Sequence, residues 1–420
     1  MSNQEIVSDF GINVAGHING DFGLAEGVRS TLKALETTDI PVVMNDMPII
    51  TSPRSNTTYT DFSIDNPYPI NLVHTNPNWV YQGYYGRVFP YFGPEYFPNK
   101  YNIGFWFWEL PKFPEEWEFA FDMFDEIWAA SKYTGESIAA VSPVPVIKIP
   151  LTVDLPQPKL TRKDLNWPEN KFIFLFVFDF GSSFHRKNAM GSIKAFQNAF
   201  EKSQEDVLLI IKFTGDEHFP DQRKELDNWL EGWSSIMIVD RHLPREEVLA
   251  FLKNCDCYIS LHRAEGFGLT MAEAMFYGKP VIATGYSSNM DFMNVGNSFL
   301  VRYELVTTTE DYGFYPKGSV WADPDVEEAT YWMKYVYENY QEAVKIGVIA
   351  AEEVRALLNP EVIGVKIKKR LEYIKNNRLK STTRMAKLNQ EKESLLSQAK
   401  AWKKATKLIQ AELNQTKSRL

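Results

Sequence analysis

The feature that most constrains the fold is an almost unbroken apolar run at residues 171–178, Lys-Phe-Ile-Phe-Leu-Phe-Val-Phe. A strand with one wet face alternates apolar and polar side chains. A run without alternation fits a strand covered on both faces, as in a parallel sheet flanked by helices. Parallel strands need crossover connections, and the following residues supply them. A helix is expected at 189–201, strands at 207–213 and 235–239, a helix at 245–253, a strand at 257–261, a helix from Leu269 and a strand at 280–283. That order describes a doubly wound parallel sheet.

The amino-terminal part repeats the theme. Apolar runs at 11–18, 41–44 and 101–108 alternate with a helical pattern at 23–35, the order of another α/β domain. Between the two series, Pro143, Pro145, Pro150, Pro156 and Pro158 favour extended chain and exclude helix. The interdomain linker is placed there, giving domains at 1–150 and 151–360. With 420 residues, 44% of them apolar and 14% aromatic, the chain has material for two cores and an appendage.

The appendage is the segment 376–420. It holds eleven Lys or Arg against three acids, a local net of +8 in a chain of net −9, so the rest carries −17. Leu388, Leu395, Trp402 and Ile409 recur every seven residues, and Leu413 with Leu420 joins a second stripe interrupted by Lys392 and Thr406. A basic amphipathic helix or coiled coil is expected, serving as a solvated tail, as a homo-oligomer contact or as a peripheral contact with the inner membrane face. The negative net charge gives no general attraction to nucleic acid, so a small-molecule partner is expected. The first ten residues lack a secretion-signal pattern and no apolar run reaches roughly 18 residues, so a soluble cytoplasmic protein is expected. Cys255 and Cys257 make neither a disulfide framework nor a zinc site.

Chemistry concentrates at residues 262–275, His-Arg-Ala-Glu-Gly-Phe-Gly-Leu-Thr-Met-Ala-Glu-Ala-Met. A strand ends in a loop bearing Glu265, two glycines permit close backbone approach, and a helix begins near Leu269 with its amino end free. The amides of Gly266, Phe267, Gly268 and Leu269, together with the helix dipole, favour a phosphate. Glu265 is placed to accept hydrogen bonds from sugar hydroxyls, and Glu273 to reach a ribose diol. A second constellation, residues 178–188, reads Phe-Asp-Phe-Gly-Ser-Ser-Phe-His-Arg-Lys-Asn and follows the first strand of the second domain. It lies at the carboxyl end of a strand, where open α/β sheets bind ligands. There Arg186 and Lys187, with Ser182 nearby, supply positive charge for a leaving diphosphate.

These motifs resemble the family 4 retaining glycosyltransferases (glycosyltransferase group 1, GT-B fold) over about residues 10–375. The family's donor site carries Glu, seven residues, then Glu, which Glu265 and Glu273 match. It also carries a basic pair in the loop that here holds Arg186 and Lys187, although in many members the Arg precedes the Lys by several residues. The resemblance implies an α/β architecture of two Rossmann-like domains facing across a cleft, with a segment at 361–375 crossing back to the first domain. It implies transfer of a hexose-type sugar, with retention, from a nucleotide-diphosphate sugar to a hydroxyl of a glycan, lipid-linked or protein acceptor, without cofactor or metal.

The resemblance further assigns residues 16–23, Gly-His-Ile-Asn-Gly-Asp-Phe-Gly, to a glycine-rich loop closing toward diphosphate and acceptor, with Gly20, Asp21, Phe22 and Gly23 at its tip. The glycines lack the Gly-x-Gly-x-x-Gly spacing of a dinucleotide site. His17 is either part of the catalytic surroundings or a structural residue of that loop. Many family members carry a His at the end of the strand that here spans 101–108, where this chain has Trp108 or Glu109. Glu109 is either a base for the acceptor hydroxyl or a structural acid. Two other readings are a non-catalytic scaffold assembled through the tail and another GT-B enzyme, such as a nucleotide-sugar epimerase.

No metal is expected. Asp323-Pro324-Asp325 spells an acid-x-acid pattern, but it precedes a helical run at 326–340 that Asp325 is placed to cap. The six histidines show no ligand spacing. Neither a Gly-x-Ser-x-Gly elbow nor a Gly-Lys-Ser/Thr phosphate loop occurs, which disfavours hydrolase and triphosphatase chemistry.

Overall fold

The computed structural model of the protein describes residues 10–47, 54, 56–80, 92–93 and 95–379. Its frame is two six-stranded sheets, parallel throughout. The first contains β1 (Ile12–Gly16), β2 (Val42–Asp46), β3 (Ile70–His74), β4 (Tyr101–Trp106), β5 (Glu126–Ala129) and β6 (Val146–Lys148), in the order β2-β1-β3-β4-β5-β6. The second contains β7 (Phe172–Asp179), β8 (Val207–Thr214), β9 (Ile236–Val239), β10 (Cys257–Ser260), β11 (Val281–Thr284) and β12 (Phe299–Val301), in the order β12-β11-β10-β7-β8-β9. Chain direction across the sheet reverses between β1 and β3, and again between β7 and β10. Such a switch opens a ligand crevice at the carboxyl ends of the strands.

The run at 171–178 forms β7, which pairs with β8 along its whole length. Phe174, Phe176 and Phe178 join Phe196, Phe200 and Phe213 in one cluster, while Ile173 and Leu175, on the opposite face, are equally buried. Burying each such side chain stabilises the fold by about 1.5–3 kcal/mol, which is why the strand tolerates no polar face. In the first domain, residues 101–108 extend beyond β4 into a cluster of Trp106, Trp108, Phe113, Trp117, Phe121 and Phe124.

Two central strands of the first sheet escape the sequence pattern. Strand β3 carries Asn71 and His74, and β5 carries Glu126, all fully buried. Asn13 donates to Asn71 at 2.9 Å and Asn71 to Asn102 at 2.9 Å, a polar ladder across β1, β3 and β4. Glu126 accepts from Tyr101 at 3.0 Å and from Trp128 at 2.7 Å. Asn71 and Glu126 persist because each finds hydrogen-bond partners, whereas His74 makes no hydrogen bond through its ring among the described residues and stacks on Phe105 at 4.1 Å. The proline-bearing stretch contributes β6 at the sheet edge, and a hairpin, β13 (Tyr303–Thr307) with β14 (Val320–Pro324), is a further addition.

Near the carboxyl end the helix Pro360–Ile374 starts against the first helix, Gly23–Glu36. A Cβ at Gly364 would lie 2.5 Å from the carbonyl oxygen of Ala34, so only glycine allows this approach. The heptad positions Leu388, Leu395, Trp402 and Ile409 lie outside the described residues. No helix among the described residues is long and apolar enough to cross a membrane.

Candidate functional site

Strand β10 leads into the loop 261–268 and the helix Leu269–Phe276. Gly268 takes φ +93°, a left-handed conformation that side chains resist, and a Cβ there would meet Met271 at 2.7 Å. No side chain caps the helix start, and Leu269 and Thr270 are only half-buried, so the first amides lie near the surface. The loop is held from below. His262 is fully buried, with Nδ1 3.1 Å from Ser260 Oγ and Nε2 3.1 Å from Asn289 Oδ1, and burial pushes its pKa down. The Glu265 amide donates to Ser287 Oγ at 2.9 Å, from a serine that itself adopts φ +72°.

The loop after β7 is equally constrained. Asp179 accepts from the Ser182 amide at 3.2 Å and from the Thr214 hydroxyl at 2.7 Å. Ser183 and Asn188, with φ +71° and +55°, bracket the short turn Phe184–Lys187. Left-handed backbone costs a non-glycine residue about 1–3 kcal/mol and gathers at functional sites. The turn aims both cations at the first motif. Arg186 Nη1 donates to Ala264 O at 2.7 Å and Nη2 to Ser182 O at 2.8 Å, while Lys187 Nζ donates to Glu265 Oε1 at 2.6 Å. Arg186 Nη1 is also 3.5 Å from that carboxylate oxygen.

Glu109 completes the cluster. Its carboxylate lies 4.0 Å from Arg186 Nη2 and accepts from the Tyr315 hydroxyl at 3.0 Å, while Arg186 stands over the Tyr315 ring at 5.8 Å. Burial alone would raise the Glu265 carboxyl, but Lys187 and Arg186, with His262, outweigh it and hold its pKa at about 2. Burial opposes the Arg186 charge, yet Tyr315, Glu109 and Glu265 raise its pKa above the usual guanidinium range. Two cations thus face two carboxylates, the balance that buried charges require.

Glu273 belongs to a different group. It is buried and both of its oxygens are held by Arg245; burial raises its carboxyl pKa. Arg245 Nε also lies 3.4 Å from Glu26 Oε1, and Glu26 pairs with Arg29 at 2.7 Å. This chain of alternating charge joins the helix Leu269–Phe276 to the first helix of the first domain.

The glycine-rich loop leads into that same helix. Gly20 O accepts from Arg29 at 2.8 Å, and a Cβ on Gly20 would strike the Phe22 ring at 2.4 Å. The Asp21 carboxylate is 3.5 Å from His242 Nε2 across the domain seam, Phe22 precedes the helix without capping it, and Gly23 is exposed. His17 is buried, with Nδ1 3.0 Å from Met47 O and Nε2 3.4 Å from Thr75 Oγ1. Burial lowers its pKa, so a neutral ring engaged at both nitrogens supports the loop from inside.

The structure therefore brings Ser182, Arg186, Lys187, Glu265 and Glu109 together and sets Glu273 apart with Arg245. Sequence reasoning missed Arg245, Tyr315, Ser183, Asn188 and Ser287. Of these Ser183, ahead of the turn Phe184–Lys187, and Asn188, ahead of the helix Ala189–Ala199, carry a local signal, that of a cap. Asp325 does cap the helix Val326–Glu338, accepting from the Glu328 amide at 3.0 Å, and Asp323 pairs with Arg263 at 3.0 Å. Among the described residues no group of three or more His, Cys, Asp or Glu is arranged to hold a metal ion.

Residues 158–302, which span the whole second sheet and both motifs, match the family model of glycosyl transferases group 1. A search of curated proteins returns no match. Among solved structures the chain is similar to Anabaena HepE in complex with UDP and glucose, at 15% identity over 86% of this chain and 99% of that one, with a TM-score of 0.60. It is likewise similar to sucrose-phosphate synthase from Thermosynechococcus elongatus (16% identity, 87% and 99% covered, TM-score 0.62). A glycosyltransferase from Rickettsia africae is comparable (13% identity, 88% and 99% covered, TM-score 0.61). At such identities the likeness is one of fold, and it agrees with the two Rossmann-like sheets. Residues 158–302 thus resemble the glycosyl transferases group 1, within a fold of GT-B type.

Proposed function

We propose that this chain is a retaining, metal-independent glycosyltransferase of the family 4 type. It would move a hexose-type sugar from a nucleotide-diphosphate sugar to a hydroxyl of a glycan, lipid-linked or protein acceptor. The observation that carries this reading is the convergence of Arg186, Lys187 and Glu265 beside the uncapped amino end of the helix Leu269–Phe276. A diphosphate requires fixed cations and free amides, and both are gathered at the carboxyl end of the second sheet. The matched family supports transfer chemistry, and the Anabaena relative in complex with UDP and glucose makes uridine diphosphate the first nucleotide to test.

In the reaction the bond between the anomeric carbon and the diphosphate oxygen breaks, and charge grows on the departing phosphate. Arg186 and Lys187 stabilise that charge more strongly than the bound ground state, which is what accelerates a reaction. The acceptor hydroxyl attacks from the same face and passes its proton to the departing phosphate oxygen, so configuration is retained. Glu265, kept ionised by its neighbours, accepts hydrogen bonds from the sugar hydroxyls. Glu273 accepts from the ribose diol, and Glu109 borders the acceptor side. The domains of this assignment are 1–150 for the acceptor side and 151–360 for the donor, with 361–375 returning to the first.

Calorimetry with UDP, GDP and ADP in the presence of a chelator tests the reading, on the wild type and on Lys187→Ala and Glu273→Ala. One nucleotide is expected to bind selectively and about tenfold more weakly to each variant. A folded protein that binds none of them overturns the proposal. An absolute need for a divalent metal overturns metal independence, and a product of inverted anomeric configuration overturns retention.

A further inference from the structure

Outside this cluster a cavity of about 410 Å³ opens to solvent between the turn Phe184–Lys187 and the hairpin of β13 and β14. Neither Arg186, Lys187, Glu265 nor Glu273 lines it. Its wall carries His185, Glu225, Arg263, Thr309, Tyr312 and Asp323. The Arg263 guanidinium is already engaged, pairing with Asp323 at 3.0 Å and donating to His185 O at 2.9 Å. Glu225 adds an unbalanced carboxylate, and burial lowers the His185 pKa, which keeps that ring neutral near pH 7. The lining therefore carries one net negative charge, which opposes a phosphate, a sulfate or a nucleotide.

What remains is a wall of carboxylate and hydroxyl oxygens beside aromatic rings. Tyr312 packs against His185 and Trp321, with ring centroids at 4.5 and 5.1 Å. Hydrogen-bond acceptors set beside aromatic surface suit a ligand that is uncharged, rich in hydroxyl donors and apolar on the faces of its rings. The volume falls within the range of small-molecule sites. We propose that this cavity is a second binding site, for a neutral saccharide, separate from the donor site.

One loop links the two places. Tyr312 lines the cavity, and Tyr315, three residues on, donates to Glu109. The backbones of Tyr312 and Tyr315 bond to each other at 2.8 and 3.3 Å. A saccharide resting on Tyr312 would therefore brace the loop that places Tyr315 against Glu109 and Arg186.

Saturation-transfer NMR and calorimetry on the full chain test the proposal, with glucose, galactose and mannose and their di- to tetrasaccharides as probes. At least one probe is expected to bind. Its Kd should rise about tenfold in Asp323→Ala and in Glu225→Gln and stay unchanged in Lys187→Ala. Glu225 and Asp323 are exposed, so both variants should melt as the wild type does. Tighter binding of tetrasaccharide than of monosaccharide identifies a segment of a glycan, and equal binding identifies a free sugar. Failure of every probe to bind the folded protein overturns the proposal, as does binding lost in Lys187→Ala but kept in Asp323→Ala. Neither result bears on nucleotide binding, so the transferase reading is tested separately.

Discussion

At Glu265 burial and pairing act in opposite directions. Burial disfavours the charged carboxylate, whereas Lys187 and Arg186 favour it strongly enough to carry its pKa from 4.5 to about 2. A carboxyl depressed on folding contributes stability that is present above its unfolded pKa and lost as pH falls through the folded one. Glu265→Gln is therefore expected to cost about 3 kcal/mol near neutral pH. The gap between wild type and variant should narrow from pH 4.5 down to 2, as read by urea unfolding at a series of pH values. A gap that widens on acidification would contradict the ion pairing. Gly268→Ala forces a side chain into φ +93° and against Met271. The left-handed backbone alone costs about 1–2 kcal/mol, and a lowered melting temperature together with weakened nucleotide binding is the expected result. The acids and the basic pair were legible because each motif is contiguous in the chain. Tyr315 and Arg245 were not, because nothing near them in sequence shows what they touch.

At the level of elements, local preference and packing can disagree in sign. Gly347 lies within the helix Tyr340–Leu357, where alanine is intrinsically better than glycine by about 1 kcal/mol. A Cβ there would stand 2.3 Å from the carbonyl oxygen of Gly278, in the turn that follows the helix Leu269–Phe276. Overpacking of this kind costs about 1–3 kcal/mol, so Gly347→Ala should lower the melting temperature in calorimetry. A raised melting temperature would mean the turn yields freely. The same contrast explains which strands were readable. The phenylalanines of β7 show in any window of sequence, whereas β3 and β5 are completed by Asn71 and Glu126, whose burial is tolerable only because Asn13, Asn102, Tyr101 and Trp128 meet them.

Across the whole molecule the seam between the two sheets is polar and closely bonded. Ser131 and Ser288 hydroxyls meet at 2.7 Å, Tyr133 and Tyr286 at 2.8 Å, and Thr134 donates to Gly266 O at 3.2 Å. Arg245 adds charge to this seam by holding Glu273 and Glu26 together. Arg245→Ala would leave two carboxylates without their shared cation, at an expected cost of about 2 kcal/mol in urea unfolding. Arg245→Lys should recover part of it, since a lysine restores the charge without the forked geometry. An unchanged unfolding midpoint in Arg245→Ala would show that the seam stands without this link.

By itself the sequence determined that two parallel α/β sheets would form, that the strand-to-helix turn at 262–275 would place Glu265 and the amides after it at a sheet's carboxyl end, and that Asp325 would cap a helix. These follow from periodicity, from glycine's conformational freedom and from side chains acting within a few positions of themselves. Only the tertiary structure decided that Lys187 neutralises Glu265, that Tyr315 seats itself on Glu109, and that Glu273 is shared with Arg245 and, through it, with Glu26. Those pairings join residues far apart in the chain. Their physical cause is the need of each buried charge for a partner, a need that a linear pattern states without saying who will answer it.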